Sequence, residues 1–399
     1  MNLIVQKYGG TSVANTARIE AVADRIANCA NKRNTSLIVV VSAMDKTTDE
    51  LLDMAYQISE KPPGRELDML LTAGERITMS LLSMALWKRG IKATSFTGSQ
   101  SGIITDDLHN QARIIEVKAI RIIQEIQKGR IVIVAGFQGV SGKHEVTTLG
   151  RGGSDTTAVV LAHALGADRC EIYTDVDGVL AANPMVIQNP QKIEKLECEV
   201  LMDMAIFGTK VIHPRAIEIA RRFRIPMYIK SSINDDIGTQ IIPQDKTPLG
   251  GQKHMERSRI EGISSRYDVI LIKGSIPETR FSGFIDSLRK SRISTMHPNF
   301  KLDDGDYKIT IWIHHYDKDN FQAIADEFSL SMAENFGIIA VSGFELFSDL
   351  YILQELIETI ASYTRIEYIS STSSSFYFFI EKVKIEDIIK KIHRKYIAR

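Results

Sequence analysis

The stretch Thr148-Leu149-Gly150-Arg151-Gly152-Gly153-Ser154-Asp155 holds three glycines, a fixed cation, a hydroxyl and a carboxylate within eight residues. The apolar run Ala158-Val159-Val160-Leu161-Ala162 follows at once. A glycine-rich turn that opens a helix presents free backbone N–H groups at the positive end of the helix dipole. That is chemistry for anions. The guanidinium of Arg151 adds a planar fork that grips a carboxylate or phosphate with two bonds. By itself the stretch could be a tight turn, but two more glycine loops accompany it. Lys7-Tyr8-Gly9-Gly10-Thr11-Ser12 ends the first expected strand, and Thr174-Asp175-Val176-Asp177-Gly178-Val179 ends a later one. Three such loops after strands are hard to explain as turns alone.

The elements that must position these loops alternate strand and helix. Leu3–Lys7 is short and apolar, and Leu37–Val41 is a continuous run suited to a strand covered on both faces. Thr16–Ala30 has helical spacing at Ile19, Val22, Ala23 and Ile26. Residues 65–89 read as one long helix or a broken pair, and 109–128 as a helix. Ala93–Thr97, Ile131–Ala135 and Arg169–Thr174 read as strands, residues 154–165 as a helix, and Pro214 as the start of another. Met69, Met79 and Met84 fall at roughly helical spacing and are expected in the core. This alternation predicts a mostly parallel sheet with helices on both faces and ligands at the carboxyl ends of the strands.

The pattern changes after Gly238. Residues 244–259 are polar, with Pro248, Gly250 and Gly251, and read as a linker between a domain at 1–243 and another at 260–399. The second part predicts strands at 269–273, 308–314, 338–341, 366–369 and 376–380, with helices at 281–290, 319–328, 350–363 and 385–396. Two weak copies of strand–helix–strand–strand suggest an α+β regulatory or oligomerisation module.

Bulk properties exclude several classes. At 399 residues the chain has room for about two to four domains. Lys plus Arg and Asp plus Glu balance at 49 each, so no charge excess points to nucleic acid or to an anionic membrane. The longest apolar runs fall far short of the ~20 residues of a membrane helix. Met1–Val5 leads into a strand without a basic segment, so no signal peptide is expected. Cys29, Cys170 and Cys198 lack CxxC spacing, which predicts reduced thiols and a cytoplasmic protein rather than disulfides or zinc. No G-x-x-x-x-G-K-[ST], post-strand G-x-G-x-x-G or H-R-D with D-F-G occurs, which argues against phosphate-loop and protein-kinase folds.

Beyond the three loops, the chain carries Ser42-Ala43-Met44, Thr47-Thr48-Asp49-Glu50-Leu51-Leu52, Gly74-Glu75, Gly136-Phe137-Gln138-Gly139 and Phe207-Gly208-Thr209-Lys210-Val211-Ile212-His213-Pro214. In this order the motifs resemble the aspartate kinases of the amino-acid kinase family, from about Leu3 to Ile242. The remainder is only loosely similar to that family's paired ACT domains. The resemblance implies a three-layer α/β sandwich with a mostly parallel central sheet, followed by a tandem ACT-like domain. It implies transfer of the γ-phosphoryl of ATP, with magnesium, to the side-chain carboxylate of L-aspartate, and at least a homodimer through the C-terminal part. The product would enter the aspartate-derived route to lysine, threonine and methionine.

Site roles follow from the same resemblance. Lys7 matches the catalytic lysine, and Asp155 the residue that holds it and organises the site. Gly9, Gly10, Ser12, Thr174, Asp175 and Lys210 match positions around the nucleotide. Arg151 matches the residue for the substrate α-carboxylate and Glu75 the one facing the α-ammonium, while Ser42, Thr48 and Ser154 surround the amino acid. Ser42 and Thr48 could instead cap the helix that follows, and Glu75 could sit on a solvated helix face. His213 before Pro214 reads as a helix entry. No residues are assigned as metal ligands.

Some positions depart from the family pattern. Leu180-Ala181-Ala182-Asn183-Pro184-Met185 stands where the family carries an aromatic, a hydroxyl, a carboxylate and an arginine. Arg76 and Arg169 are candidates for a substitute cation. Asp45 replaces a usual glycine. Arg280-Phe281-Ser282-Gly283 replaces a Pro-Gly turn, and 343–349 replaces a glycine-rich effector loop. Alternatives are therefore a weakened pseudokinase or amino-acid-binding regulator, or a kinase for a related small acid.

Overall fold

The computed structural model describes residues 2–30, 35–243, 259–291, 293, 295–344, 346 and 349–398. The expected linker at 244–259, apart from Arg259, lies outside them, as do Glu345, Phe347 and Ser348 of the altered effector loop. The described residues divide into two compact units. One takes those within 1–180, 192–205 and 210–243, and the other those within 181–191, 206–209 and 259–398.

The first unit is built on an eight-stranded sheet. Its strands run, edge to edge, Lys195–Glu197, Thr239–Ile242, Met227–Ser231, Arg169–Thr174, Asn2–Tyr8, Thr35–Val41, Ile131–Ala135 and Ala93–Phe96. All neighbours are parallel except Met227–Ser231 with Thr239–Ile242. Parallel strands need crossovers, and the helices that make them cover the faces. Ile4, Tyr8, Leu37, Val39, Val41, Ile131 and Ile133 pack with Ile19, Val22, Ile26, Met79 and Leu82, from helices Thr16–Ala30 and Ala73–Lys88. Helix Gly153–Ala164 also packs on Asn2–Tyr8, Thr35–Val41 and Arg169–Thr174. Successive strand residues face opposite ways. Tyr8 and Ile4 therefore serve the first layer, and Lys7 the opposite one.

Several local expectations change. The 65–89 segment is the broken pair, Gly64–Leu71 and Ala73–Lys88. A single helix over 109–128 does not form. Asn110 is left-handed at φ 68°, Ile114–Val117 pairs as a strand with Ile103–Thr105, and the helix is only Ile120–Gln127. A left-handed residue stops an α-helix, and β-branched Ile114, Ile115 and Val117 suit a pleated edge. Ile103–Thr105 also continues a small sheet with Gln138–Ser141 and Val146–Thr148. That sheet leads straight into the glycine-rich 148–155 loop. Of the three methionines expected in the core, only Met79 is buried, and Met69 and Met84 are exposed.

The second unit holds two four-stranded antiparallel sheets. One orders Met296–Asp303, Asp306–His314, Val269–Pro277 and Ser331–Ala333, with helices Glu278–Ser291 and Lys318–Phe328 packed through Phe284, Phe321 and Phe328. The other orders Arg259–Arg266, Phe336–Phe344, Ser375–Glu381 and Tyr368–Ser371, with helices Leu350–Ala361 and Ile385–Tyr396. Val269, Leu271 and Trp312 of one sheet meet Ile338, Ala340, Tyr377 and Phe379 of the other. Arg280–Gly283, which stands where the family has a Pro-Gly turn, lies inside helix Glu278–Ser291. Val186 and Ile187, which follow the altered 180–185 stretch, pack on the second unit's core.

Candidate active site

The site lies at the carboxyl edge of the central strands of the first unit. Strand Asn2–Tyr8 runs into the turn Gly10–Val13, whose Ser12 N–H donates to Gly9 O at 2.9 Å. On one side Gly9 N donates to Tyr173 O, the end of strand Arg169–Thr174. On the other, Ser42 N donates to Tyr8 O at 3.1 Å. Gly136 N donates to Val41 O at 2.9 Å, which brings in strand Ile131–Ala135. Four strand ends are thus bonded side by side. A side chain on Gly9 would press on Lys7 Nζ, 3.3 Å from where its Cβ would lie.

Lys7 and Asp155 meet here. Lys7 points to the sheet face covered by helix Gly153–Ala164, and Asp155 is in that helix's first turn. Nζ lies 2.6 Å from Asp155 Oδ1, with both side chains nearly buried. Asp155 Oδ2 also accepts from His213 N at 3.4 Å. His213 is the N-cap of helix Pro214–Arg222 and its Nδ1 accepts from Arg215 N, so the helix-entry reading holds. Burial holds the His213 imidazole below its usual pKa, chiefly by desolvation. Gly152 is left-handed at φ 70°, and a Cβ there would lie 2.2 Å from His213 Cβ. Glycine is therefore required between Arg151 and the helix.

Glu75 opens helix Ala73–Lys88 and is 3% exposed, so it is not on a solvated face. One carboxylate oxygen accepts from Ala43 N at 3.2 Å, and the other is buried without a partner. Burial pushes the carboxyl up to about 7, against the lowering effect of backbone hydrogen bonds. Gly74 lets the helix approach, since a Cβ there would lie 2.7 Å from Ala43 Cβ. Neither Ser42 nor Thr48 is a cap: the helix Thr47–Ile58 follows Lys46 with no side-chain capping bond. Ser154 is buried and packs against Gly136, whose Cβ would meet its Oγ at 2.7 Å. Asp45, in place of the usual glycine, is left-handed at φ 40°.

Arg151 is exposed and makes no hydrogen bond or ion pair with the described residues. Thr174 Oγ1 bonds Asp175 Oδ1 at 3.0 Å, and Thr174 O accepts from Ser232 N. Lys210 is exposed. Met185 is 91% exposed. Of the two candidate substitute cations, Arg169 is engaged by Glu171 at 2.8 Å. Among the described residues no group of three or more His, Cys, Asp or Glu could hold a metal ion. Sequence reasoning did not single out Asp68 or Arg215, which bond the loop from behind. The signal was a carboxylate on the apolar helix face of Leu67 and Leu71.

Fold and site together define an α/β protein with a paired lysine, a guanidinium that has no partner among the described residues and a half-satisfied buried carboxylate at one strand edge. A model of the amino acid kinase family matches residues 2–231. Aspartokinase of Mycobacterium tuberculosis (strain ATCC 25618 / H37Rv) is 53% identical over 261 residues, 64% of this chain and 62% of that protein. The chain thus matches less than two thirds of the length of the first curated relatives. Aspartate kinase of Stutzerimonas stutzeri is 38% identical over 406 residues, covering 98% of this chain and 97% of the relative. E. coli aspartokinase III in complex with aspartate and ADP shares the fold at a TM-score of 0.82 and 22% identity, over 100% of both chains. Aspartate kinase from Synechocystis matches at 30% identity and a TM-score of 0.57, over 99% of this chain and 69% of that one. The chain belongs to the amino acid kinase family, on its aspartokinase branch.

Proposed function

We propose that this chain transfers the γ-phosphoryl group of ATP to the side-chain carboxylate of L-aspartate, giving ADP and 4-phospho-L-aspartate. The observation that carries the reading is Glu75: a buried carboxylate, one oxygen bonded to Ala43 N and the other open. Such a group wants a cation, and an α-ammonium supplies one. Arg151 offers a free fork for the α-carboxylate. The relatives' names agree, and the E. coli structure holds aspartate and ADP.

The acceptor carboxylate has a pKa near ~4 and is ionised at neutral pH, so no general base is needed. One of its oxygens attacks the γ-phosphorus as the bond to the β-phosphate oxygen breaks, and no proton moves. Catalysis is then positioning plus neutralisation of charge on the phosphoryl oxygens. Lys7 supplies that charge from a buried position, and Asp155 keeps its ammonium in place. Gly9 and Gly10 let backbone come close to the phosphates. Thr174, Asp175, Ser12 and Lys210 are assigned to the nucleotide, and Ser42, Thr48 and Ser154 to the amino acid. Magnesium, when bound with ATP, neutralises phosphate charge.

We also assign 1–243 to catalysis, 244–259 to a linker and 260–399 to a tandem ACT-like module that assembles at least a homodimer. Among the described residues no helix is long and apolar enough to cross a membrane, and we place the protein in the cytoplasm. The decisive experiment incubates the purified chain with ATP, magnesium and L-aspartate, then adds hydroxylamine. Formation of aspartyl hydroxamate, and its absence with L-glutamate, supports the reading; no hydroxamate would end it.

A further inference from the structure

Asp68 sits on helix Gly64–Leu71 with 0% exposure. Its carboxylate accepts from Thr148 Oγ1 at 2.5 Å, from His109 Nδ1 at 2.6 Å, and from Asn110 N at 3.1 and 3.2 Å. Burying a carboxylate is costly unless its oxygens are bonded, and an apolar side chain could often take its place without loss. The bonds therefore identify what the charge is for.

Two of these partners, Thr148 and Asn110, bear on one loop. Thr148 is the first residue of the glycine-rich stretch, and its carbonyl accepts from Ala112 N at 2.9 Å. Gly150 backs onto the segment Asp68 holds: a Cβ there would lie 3.1 Å from Asn110 O. Arg215 grips the same turn, donating to Leu149 O at 2.8 Å and to Ala112 O at 3.0 Å. Between left-handed Gly150 and Gly152, at φ 74° and 70°, stands Arg151. Its side chain has no bond among the described residues, so its place is inherited from this backbone.

We propose that Asp68 is a positioning residue for Arg151, fixing through Thr148 and Asn110 where the guanidinium meets the acceptor's α-carboxylate. The inference rests on the assignment of Arg151 to aspartate. Asp68→Asn keeps the shape but removes the charge and replaces one accepting oxygen with an N–H, which the backbone N–H of Asn110 cannot accept, so the grip on this segment is weakened. Misplacement of a binding group by about 1 Å can cost roughly a hundredfold. The aspartate KM should rise about tenfold or more, while the ATP KM stays within about twofold. Thr148→Val should shift the aspartate KM in the same direction, and Thr148→Ser should restore it. Calorimetric titration of aspartate without ATP should show the same weakening in Kd.

Folded Asp68→Asn, checked by circular dichroism, with an unchanged aspartate KM would overturn the proposal, as would an equal rise in the KM for ATP. If Asp68→Asn does not fold, the Thr148 pair decides: Thr148→Val equal to wild type overturns it. Arg151→Lys separates the two readings. If it leaves the aspartate KM unchanged, the Arg151 assignment fails. If it responds while Asp68 and Thr148 do not, only the positioning role fails.

Discussion

The Lys7 ammonium lies 2.6 Å from the Asp155 carboxylate, although the 147 residues from 8 to 154 separate them in the chain. Strand alternation aims Lys7 at the helix-covered face, and the Gly152 turn starts that helix so that Asp155 reaches back. The pair leaves a buried cation whose position is set before any ligand arrives, which is the preorganised kind of charge that stabilises a transferring phosphoryl group.

Lys7→Ala removes that charge and leaves the aspartate-facing groups in place. Phosphoryl transfer should fall by at least about a hundredfold, while aspartate binding measured by calorimetry changes little. A kcat within a few-fold of wild type would rule out the catalytic role.

Arg151→Lys keeps the charge and loses the fork. Losing one charge-assisted bond of roughly 1.5–3 kcal/mol lowers kcat/KM for aspartate about tenfold to a hundredfold. Steady-state kinetics with aspartate varied at saturating ATP provide the check, and unchanged parameters exclude the assignment.

Glu75 predicts a pH dependence. Binding an α-ammonium needs the ionised carboxylate, and burial pushes its pKa up to about 7. Below that value kcat/KM for aspartate should drop about tenfold per pH unit. Glu75→Gln should flatten the profile while lowering its plateau. Stability carries the opposite sign. The folded pKa lies above the unfolded one, so the folded state binds the extra proton. Stability is therefore greatest in acid and is lost as pH rises from the usual carboxylate range through about 7. Melting curves of wild type and Glu75→Gln across this window should converge toward the acid end.

Met185 stands where the family has an arginine, and it is 91% exposed. A hydrogen bond to a charged group contributes roughly 1.5–3 kcal/mol, so Met185→Arg should lower the KM for ATP by about tenfold to a hundredfold. The KM for aspartate should be nearly unchanged. A rise in ATP KM would mean that another residue already fills the place.

The C-terminal module should hold at least two copies of the chain together, as two-fold pairing of edge strands allows. Static light scattering at micromolar concentration reads this directly. A monomer mass of 44.7 kDa would contradict it.

Much of this protein was written locally in its residues. Hydrophobic period marked Leu3–Lys7, Leu37–Val41, Ile131–Ala135 and Arg169–Thr174 as strands of a mostly parallel sheet, and the fold holds neighbouring strands over all four. Those signals are short-range: side-chain alternation, β-branching and the freedom of glycine act within a few residues. Helix Ile385–Tyr396 was legible for the same reason, down to its bounds. Tertiary structure decided what depends on distant partners. Residues 109–128 have helical spacing, yet pairing of Ile114–Val117 with Ile103–Thr105 and the left-handed Asn110 made them loop, strand and short helix. The burial of Glu75, which pushes its carboxyl up to about 7 against the opposing pull of the Ala43 N–H, came from packing against the loop at Ala43 and not from the pattern of its own helix. Asp68 is the clearest case. Sequence showed only a carboxylate between Leu67 and Leu71, and the fold brought it Thr148 from 80 residues away. Local pattern fixes which elements form, but a buried charge takes its meaning from the donors that the packed chain delivers to it.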